Sequence, residues 1–297
     1  MIKTFEVILE DDVRIPVRVY GQAQAPRLVM SHGNGLAIGG YQEYWSRLIP
    51  YFQIVIFDFR GHGQSDTGSL ANHAWSQFRR DFEQVVDEID RQLGKRPTFG
   101  AFHSLSSLVA LRNTQLNGPR WQGLLLFDPP IMPPNDNPWQ QAHVDEMLGI
   151  GARVAQRQHL FASPSELVQQ YKGSSMLTRW TPLAYQYMAH AALRYQQSEQ
   201  NWRLSCPPEY EAKIFCSNDD TALWENLPNL KGIDMPIKLL CADPNVPNAA
   251  SAAFTTPIVA DLGGFDYDFV PETTHFLQLE QPEICAQATR EFCERHL

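Results

Sequence analysis

No stretch of the 297 residues approaches the roughly 20 consecutive apolar residues that a membrane span requires, so no membrane partner is expected. The opening residues, "MIKTFEVILEDDVRIPV", lack the uninterrupted apolar segment of a signal peptide. Basic clusters and charged tails are missing as well. With a formal net charge of −9, nucleic acid and anionic membrane surfaces drop out as expected partners. Cysteine is scarce: Cys206, Cys216, Cys241, Cys285 and Cys293 are odd in number and lie in no metal-like pairs. They read as reduced thiols, and the expected compartment is the cytoplasm. No ligand cluster calls for a metal or an organic cofactor, and neither repeats nor low-complexity runs occur.

What is present is the composition of a globular chain, 43% hydrophobic and 19% charged, long enough for one large domain or a domain with an insertion. "KTFEVIL" and "VRIPVRV" alternate or are β-branched around Glu10-Asp11-Asp12 and predict a hairpin. Short apolar runs of the buried, parallel kind follow: "RLVMSH" (27–32), "QIVIFDF" (53–59), "TFGAFH" (98–103), "GLLLFD" (123–128), "IKLLCAD" (237–243) and "FDYDFV" (265–270). Helical stretches separate them, and a last helix is expected from about Pro282. The fold class is therefore α/β, a mostly parallel sheet flanked by helices.

Between Asp128 and Ile237 no run reads as a strand. "SPSE" at Ser163 is a capping box with Pro at the first helical position, and Thr181-Pro182 opens "TPLAYQYMAHAALRY" in the same way. Ala184, Tyr187, Met188, Ala191 and Leu193 form an apolar stripe at helical spacing. An all-helical insert over the C-terminal edge of the sheet is expected to roof the site there. It contributes Trp139, Phe161, Tyr171, Trp180, Tyr185, Tyr187, Tyr195 and Trp202, some packing its own core and some facing the site.

Three features point to acyl transfer. "SHGNG" (31–35) follows the first parallel strand, where glycines turn the backbone sharply and leave the Asn34 N–H free to hold an oxyanion. "GAFHSLSSLVAL" (100–111) reads as strand, tight turn and helix, with Ser104 at the tip and the Leu105 N–H at the helix start. Serine is also a favoured helix N-cap, which is the plainer reading of Ser104. "PETTHFLQLEQPE" (271–283) places His275 after the last strand run, where it can act as general base. For the acid that orients the histidine, Asp243 in "LLCADPNVP" and Asp128 in "LLFDPP" both lie at strand ends. Asp58, in "FDFRGHGQSD", is expected to hold the loop that follows it.

"HGNG", "FDFRGHGQSD", "HSLSS", "ADPNVP" and "THFLQLEQPE" fall in one order along the whole chain, and in this the sequence resembles the α/β-hydrolase superfamily. The resemblance implies an eight-stranded-type sheet. It implies a core of residues 1–130 and 232–297 with a helical cap at 131–231. It also implies Ser104 as nucleophile, His275 as base and Asp243 as acid, with Asp128 the alternative acid and Asn34 and Leu105 in the oxyanion hole. The departure is the elbow, where Phe102 and Ser106 stand in place of small glycines and the Phe102 ring must find its own space. "HGN" also resembles the haloalkane dehalogenases, but serine displacing a halide would leave an ether with no carbonyl to hydrolyse. Acyl substrates remain: esters and lactones first, then thioesters, amides or diketones cleaved at a C–C bond. The leading expectation is a cap-bearing serine esterase or lactonase for a medium-sized, partly apolar acyl substrate. A C–C hydrolase using the same triad, or a non-catalytic binder of small molecules, are the alternatives. Oligomeric state is not legible.

Overall fold

Alternation sets the first element: Phe5 and Val7 face inward between exposed neighbours in β1 (Lys3–Ile8), which pairs antiparallel with β2 (Arg14–Tyr20). Asp12 turns the chain between them at φ 61°, a conformation that Asp accepts more readily than most side chains. The computed structural model describes residues 3–217, 221–247 and 249–297. The strands that follow are buried on both faces, as their apolar runs require: β3 (Arg27–Ser31), β4 (Gln53–Phe57), β5 (Thr98–His103) and β6 (Gly123–Phe127). With β10 (Ile237–Cys241) and the exposed edge strand β11 (Asp266–Phe269) they complete an eight-stranded sheet, ordered β1-β2-β4-β3-β5-β6-β10-β11. From β4 to β11 every pairing is parallel.

Period-two alternation then splits each strand between two cores. Val55, Phe57, Phe102, Leu124 and Leu126 face one side, where α2 (Trp75–Leu93), α3 (Leu105–Asn117) and α9 (Ser251–Gly263) bring Phe78, Phe82, Leu108 and Val259. Ile54, Ile56, Phe99, Leu125 and Phe127 face the other. There α1 (Gln42–Trp45), α10 (Leu277–Glu280) and α11 (Pro282–Arg295) supply Tyr44, Leu279 and Phe292. Among the described residues no helix is long and apolar enough to cross a membrane.

The insert between β6 and β10 contains α4 (Gln140–Val154), α5 (Pro164–Lys172), α6 (Pro182–Ala192), α7 (Pro208–Cys216) and α8 (Ala222–Glu225). Ser163 Oγ accepts from the Glu166 N–H and Thr181 Oγ1 from the Ala184 N–H, so both caps form where their motifs stand. The expectation of an all-helical insert is corrected. β7 (Leu160–Phe161), β8 (Leu193–Gln196) and β9 (Asn201–Leu204) form a small antiparallel sheet ordered β7-β9-β8. The helical stripe ends at Ala192, and Leu193 opens a strand instead. Cross-strand packing decides this: Tyr195 sits opposite Trp202 with ring centroids 5.3 Å apart, a pairing that no helical register offers.

Candidate active site

Ser104 occupies the single residue between β5 and α3, at φ 53° and ψ −116°. A non-glycine residue held there costs about 1–3 kcal/mol, which the surrounding bonds must offset. The Ser104 N–H donates to the Phe127 carbonyl at 3.0 Å, and Ser106 Oγ accepts from His103 N–H and donates to His103 O, both at 2.9 Å. Gly33 lies against this turn, since a Cβ there would stand 3.1 Å from the Ser104 Cβ. Ser104 makes no side-chain capping bond to α3. Its hydroxyl points elsewhere.

It points to His275, whose Nε2 lies 2.9 Å from Ser104 Oγ, while Nδ1 lies 2.5 Å from Asp128 Oδ2. Asp128 is fully buried, turned inward at φ 44°, and its Oδ1 accepts the Ala242 N–H at 3.0 Å. Burial alone would lower the His275 pKa, but the hydrogen bond and charge of Asp128 outweigh it and raise it. Burial would likewise raise Asp128, yet His275 and the Ala242 N–H hold its carboxyl below the ordinary value.

The structure does not bring Asp243 to His275 as expected of it; Asp128, the alternative, stands there instead. Asp243 Oδ1 accepts from the Asn245 backbone and side-chain N–H groups, each at 2.9 Å, and Oδ2 accepts from Glu272 N–H at 2.9 Å. These donors, the Glu272 N–H first, hold its carboxyl below its ordinary pKa. The residue staples its own loop to the one carrying His275.

Phe102 finds its space in an unexpected place. Its ring is fully buried, edge-on to Phe82 and Trp121 at 5.2 and 5.5 Å, and it lies over Gly100, two residues back on the same face of β5. A Cβ at Gly100 would stand 2.5 Å from Phe102 Cε2 and 2.8 Å from Leu124 Cδ1. The bulk that the elbow gains at 102 is removed from the strand at 100.

Asn34, Ser104 and Leu105 line one small cavity of about 20 Å³, closed by Trp75, Met147, Ile214 and Phe215. As a first-turn residue of α3, Leu105 has an N–H with no intrahelical partner. The Asn34 side chain donates to the Glu211 carbonyl at 2.9 Å, which fixes the loop around its backbone N–H. None of the eight aromatics named from the sequence lines this cavity, and the insert's ring there is Phe215; Trp139 stacks on Phe254, and Trp180 packs with Tyr171, Tyr185 and Phe276. A larger cavity of about 550 Å³ opens at the other end of the sheet, among Asp87, Asp90, Arg91, Lys95, Arg120 and Trp121. It holds none of the groups gathered around Ser104 and lies away from the strands' carboxyl ends, where sites form in parallel sheets.

Sequence reasoning missed the histidines that brace the loops. His32 Nε2 accepts the Phe59 N–H and His62 Nε2 the Gly35 N–H, both at 3.0 Å, joining the loops after β3 and β4. Burial lowers both pKa values and keeps the rings neutral. Asp58 completes the brace, accepting from the Ile38 and Gln64 N–H groups and from Arg18. Possible ligand atoms of His62, His73 and Cys206 lie within 4.8 Å of one another. His62 spends both ring nitrogens on Gly35 N–H and Arg60 O, which leaves two free ligands, too few for a structural metal.

A family model described as "Serine aminopeptidase, S33" matches residues 22–204. Over 107 residues the chain is 27% identical to the monoglyceride lipase of Homo sapiens, covering 35% of each chain. The chain thus aligns with about a third of the length of the curated relatives it matches. A solved E-2-(acetamidomethylene)succinate hydrolase superposes at TM-score 0.78 with 16% identity, over 98% of this chain and 99% of that one. An α/β hydrolase from Novosphingobium aromaticivorans superposes at TM-score 0.75 with 17% identity, over 99% and 98%. Identities this low speak for the fold alone.

Proposed function

The chain belongs to the serine aminopeptidase S33 family of α/β hydrolases, and from that premise we propose that it cleaves uncharged carboxylic esters through an acyl-enzyme on Ser104. One observation carries the reading: a single hydrogen-bonded line from Ser104 Oγ through His275 to the buried Asp128 carboxylate. In the proposed reaction His275 Nε2 takes the Ser104 proton as Oγ attacks the carbonyl carbon. The developing oxyanion lies between the Asn34 and Leu105 N–H groups. Asp128 keeps the Nδ1 proton in place and stabilises the imidazolium, which then protonates the departing alkoxide. Water enters by the reverse sequence and releases the acid.

The cavity walls favour an ester over a peptide amine. Trp75, Met147, Ile214 and Phe215 are apolar, and no carboxylate among the lining residues could pair with a free amino terminus. At about 20 Å³ the closed space has room for about one water molecule, so an acyl group enters only as the walls give way. We read residues 131–231 as a cap whose helices α4 and α7 must part to admit larger substrates.

A fluorophosphonate probe tests the reading, with the modified residue located by peptide mapping. Ser104 is the expected site, and Ser104→Ala is expected to lose turnover of 4-nitrophenyl acetate by several orders of magnitude while melting normally. Near-normal hydrolysis by that variant would sink the mechanism.

A further inference from the structure

His103 precedes the proposed nucleophile and is fully buried, yet the mechanism above gives it no task. Its Nε2 lies 2.7 Å from the His275 carbonyl oxygen, and its Nδ1 lies 2.7 Å from Tyr41 Oη. Gly33 N–H donates to the same Tyr41 oxygen at 3.4 Å. The proton positions follow from chemistry. A carbonyl can only accept, so His103 Nε2 carries the hydrogen. Nδ1 is then bare and must accept, so Tyr41 donates its O–H to it. The remaining lone pairs of Tyr41 face the Gly33 N–H. Reversing any one bond leaves two acceptors or two donors facing each other in a buried site, and only one arrangement satisfies every group.

We infer that Tyr41 and His103 are positioning residues, a relay of directed hydrogen bonds that sets where His275 and the Gly33 loop stand against Ser104. The inference rests on the reading of Ser104 as nucleophile and His275 as base. The relay ties together three segments far apart in sequence: the loop after β3, the nucleophile turn and the loop bearing the base. It grips His275 by its backbone, whereas Asp128 grips the ring, so position and orientation have separate controls. Around His103 the titratable neighbours are His275, Asp128 and His32. Burial leads the effects that push the His103 pKa down to about 3, and burial raises that of Tyr41. Neither link changes charge in the range where His275 titrates.

The test compares Tyr41→Phe, His103→Leu and His103→Gln with the parent, all as full-length chains. Three quantities are read: the second-order rate of fluorophosphonate labelling, kcat and KM for 4-nitrophenyl acetate, and thermal melts to correct for the folded fraction. His103→Leu removes both bonds and is expected to lower kcat and labelling about 100-fold with KM nearly unchanged, the scale of a misplaced catalytic group. Tyr41→Phe keeps the ring and loses one bond, for a fall of about 10-fold. His103→Gln restores a donor towards the His275 carbonyl and is expected to recover most of the loss. If His103→Leu fails to fold, Tyr41→Phe still decides the matter, by its fall in labelling at full folding. Folded His103→Leu or Tyr41→Phe chains that label at the parental rate overturn the relay, as does a loss that only tracks the unfolded fraction, or a His103→Gln chain no better than His103→Leu. A parent chain that does not label at Ser104 overturns the proposed function instead, and the two failures are distinct.

Discussion

Replacing Asp128 by Asn tests the acid most sharply, because the two carboxylate oxygens have different partners. Oδ1 accepts the Ala242 N–H at 3.0 Å and Oδ2 faces His275 Nδ1 at 2.5 Å. An amide has one acceptor and one donor end. If its oxygen stays on Ala242, the NH2 faces His275, Nδ1 must accept, and Nε2 carries a proton towards Ser104. That is the wrong tautomer for a base. Turning the amide over restores the tautomer but sets NH2 against the Ala242 N–H in a fully buried place, a mismatch of about 1–3 kcal/mol. The neutral amide also cannot stabilise imidazolium. Together these predict a fall in kcat of about 10³–10⁴, or about 4–5.5 kcal/mol of transition-state stabilisation. Asp243→Asn should do something else: its bonds to Asn245 and Glu272 hold a loop, so the melting temperature falls while the rate stays within a few-fold. Steady-state kinetics on an activated ester, with melts alongside, read both variants. A crippled Asp243→Asn beside a near-normal Asp128→Asn would refute the assignment.

The buried neutral histidines predict acid lability. Burial depresses His73 and His103 to about 3, so below the unfolded value near 6.5 the unfolded chain binds protons that the folded chain refuses. Stability is present above that value and falls with pH, by about 2 kcal/mol for each of the two between pH 6.5 and 5. The raised His275 works in the opposite sense, adding stability below pH 6.5 that is lost as pH climbs through its folded value. Urea melts at pH 7, 6 and 5 should show the net fall, and a flat profile contradicts it. In the pH–rate profile, the acid limb of kcat/KM should lie above the ordinary histidine value and move down in Asp128→Asn, wherever residual turnover allows its measurement. Gly100→Ala should cost about 1–3 kcal/mol by overpacking against Phe102, and less in a Phe102→Ala background; strictly additive costs would show that the two sites do not share space. Phe215→Ala should shift the preference from acetate towards butyrate esters, and an unchanged ratio would remove Phe215 from the acyl pocket.

Much of the frame was legible because parallel strands advertise themselves. Gln53–Phe57 and Gly123–Phe127 are short apolar runs bounded by loops, and chain order alone placed Ser104 and His275 at strand ends. The small sheet of the insert was not legible, since Leu193 continues the apolar stripe of α6 and only the pairing of Tyr195 with Trp202 makes it a strand. The acid was ambiguous for a similar reason. Asp128 and Asp243 both follow strands, and what separates them is a backbone twist to φ 44° at one and three nearby N–H donors at the other. Phe102 looked like a fault in the elbow because its remedy, Gly100, lies before the motif rather than in it.

The place of Asp128 has a consequence for anyone recombining these chains. It stands three residues before the insert, pinned by its own N–H to the Leu240 carbonyl and followed at once by Pro129 and Pro130. Two consecutive prolines make a stiff spacer. Movement of the insert is therefore filtered before it reaches the carboxylate, and any hinge belongs beyond Pro130. A graft that exchanges the insert should keep its upstream junction after that proline, so that the acid travels with the sheet. The loop after β10 then becomes the freer site for redesign beyond Ala242, provided that the Ala242 N–H keeps Asp128 and Asp243 keeps its hold on Glu272.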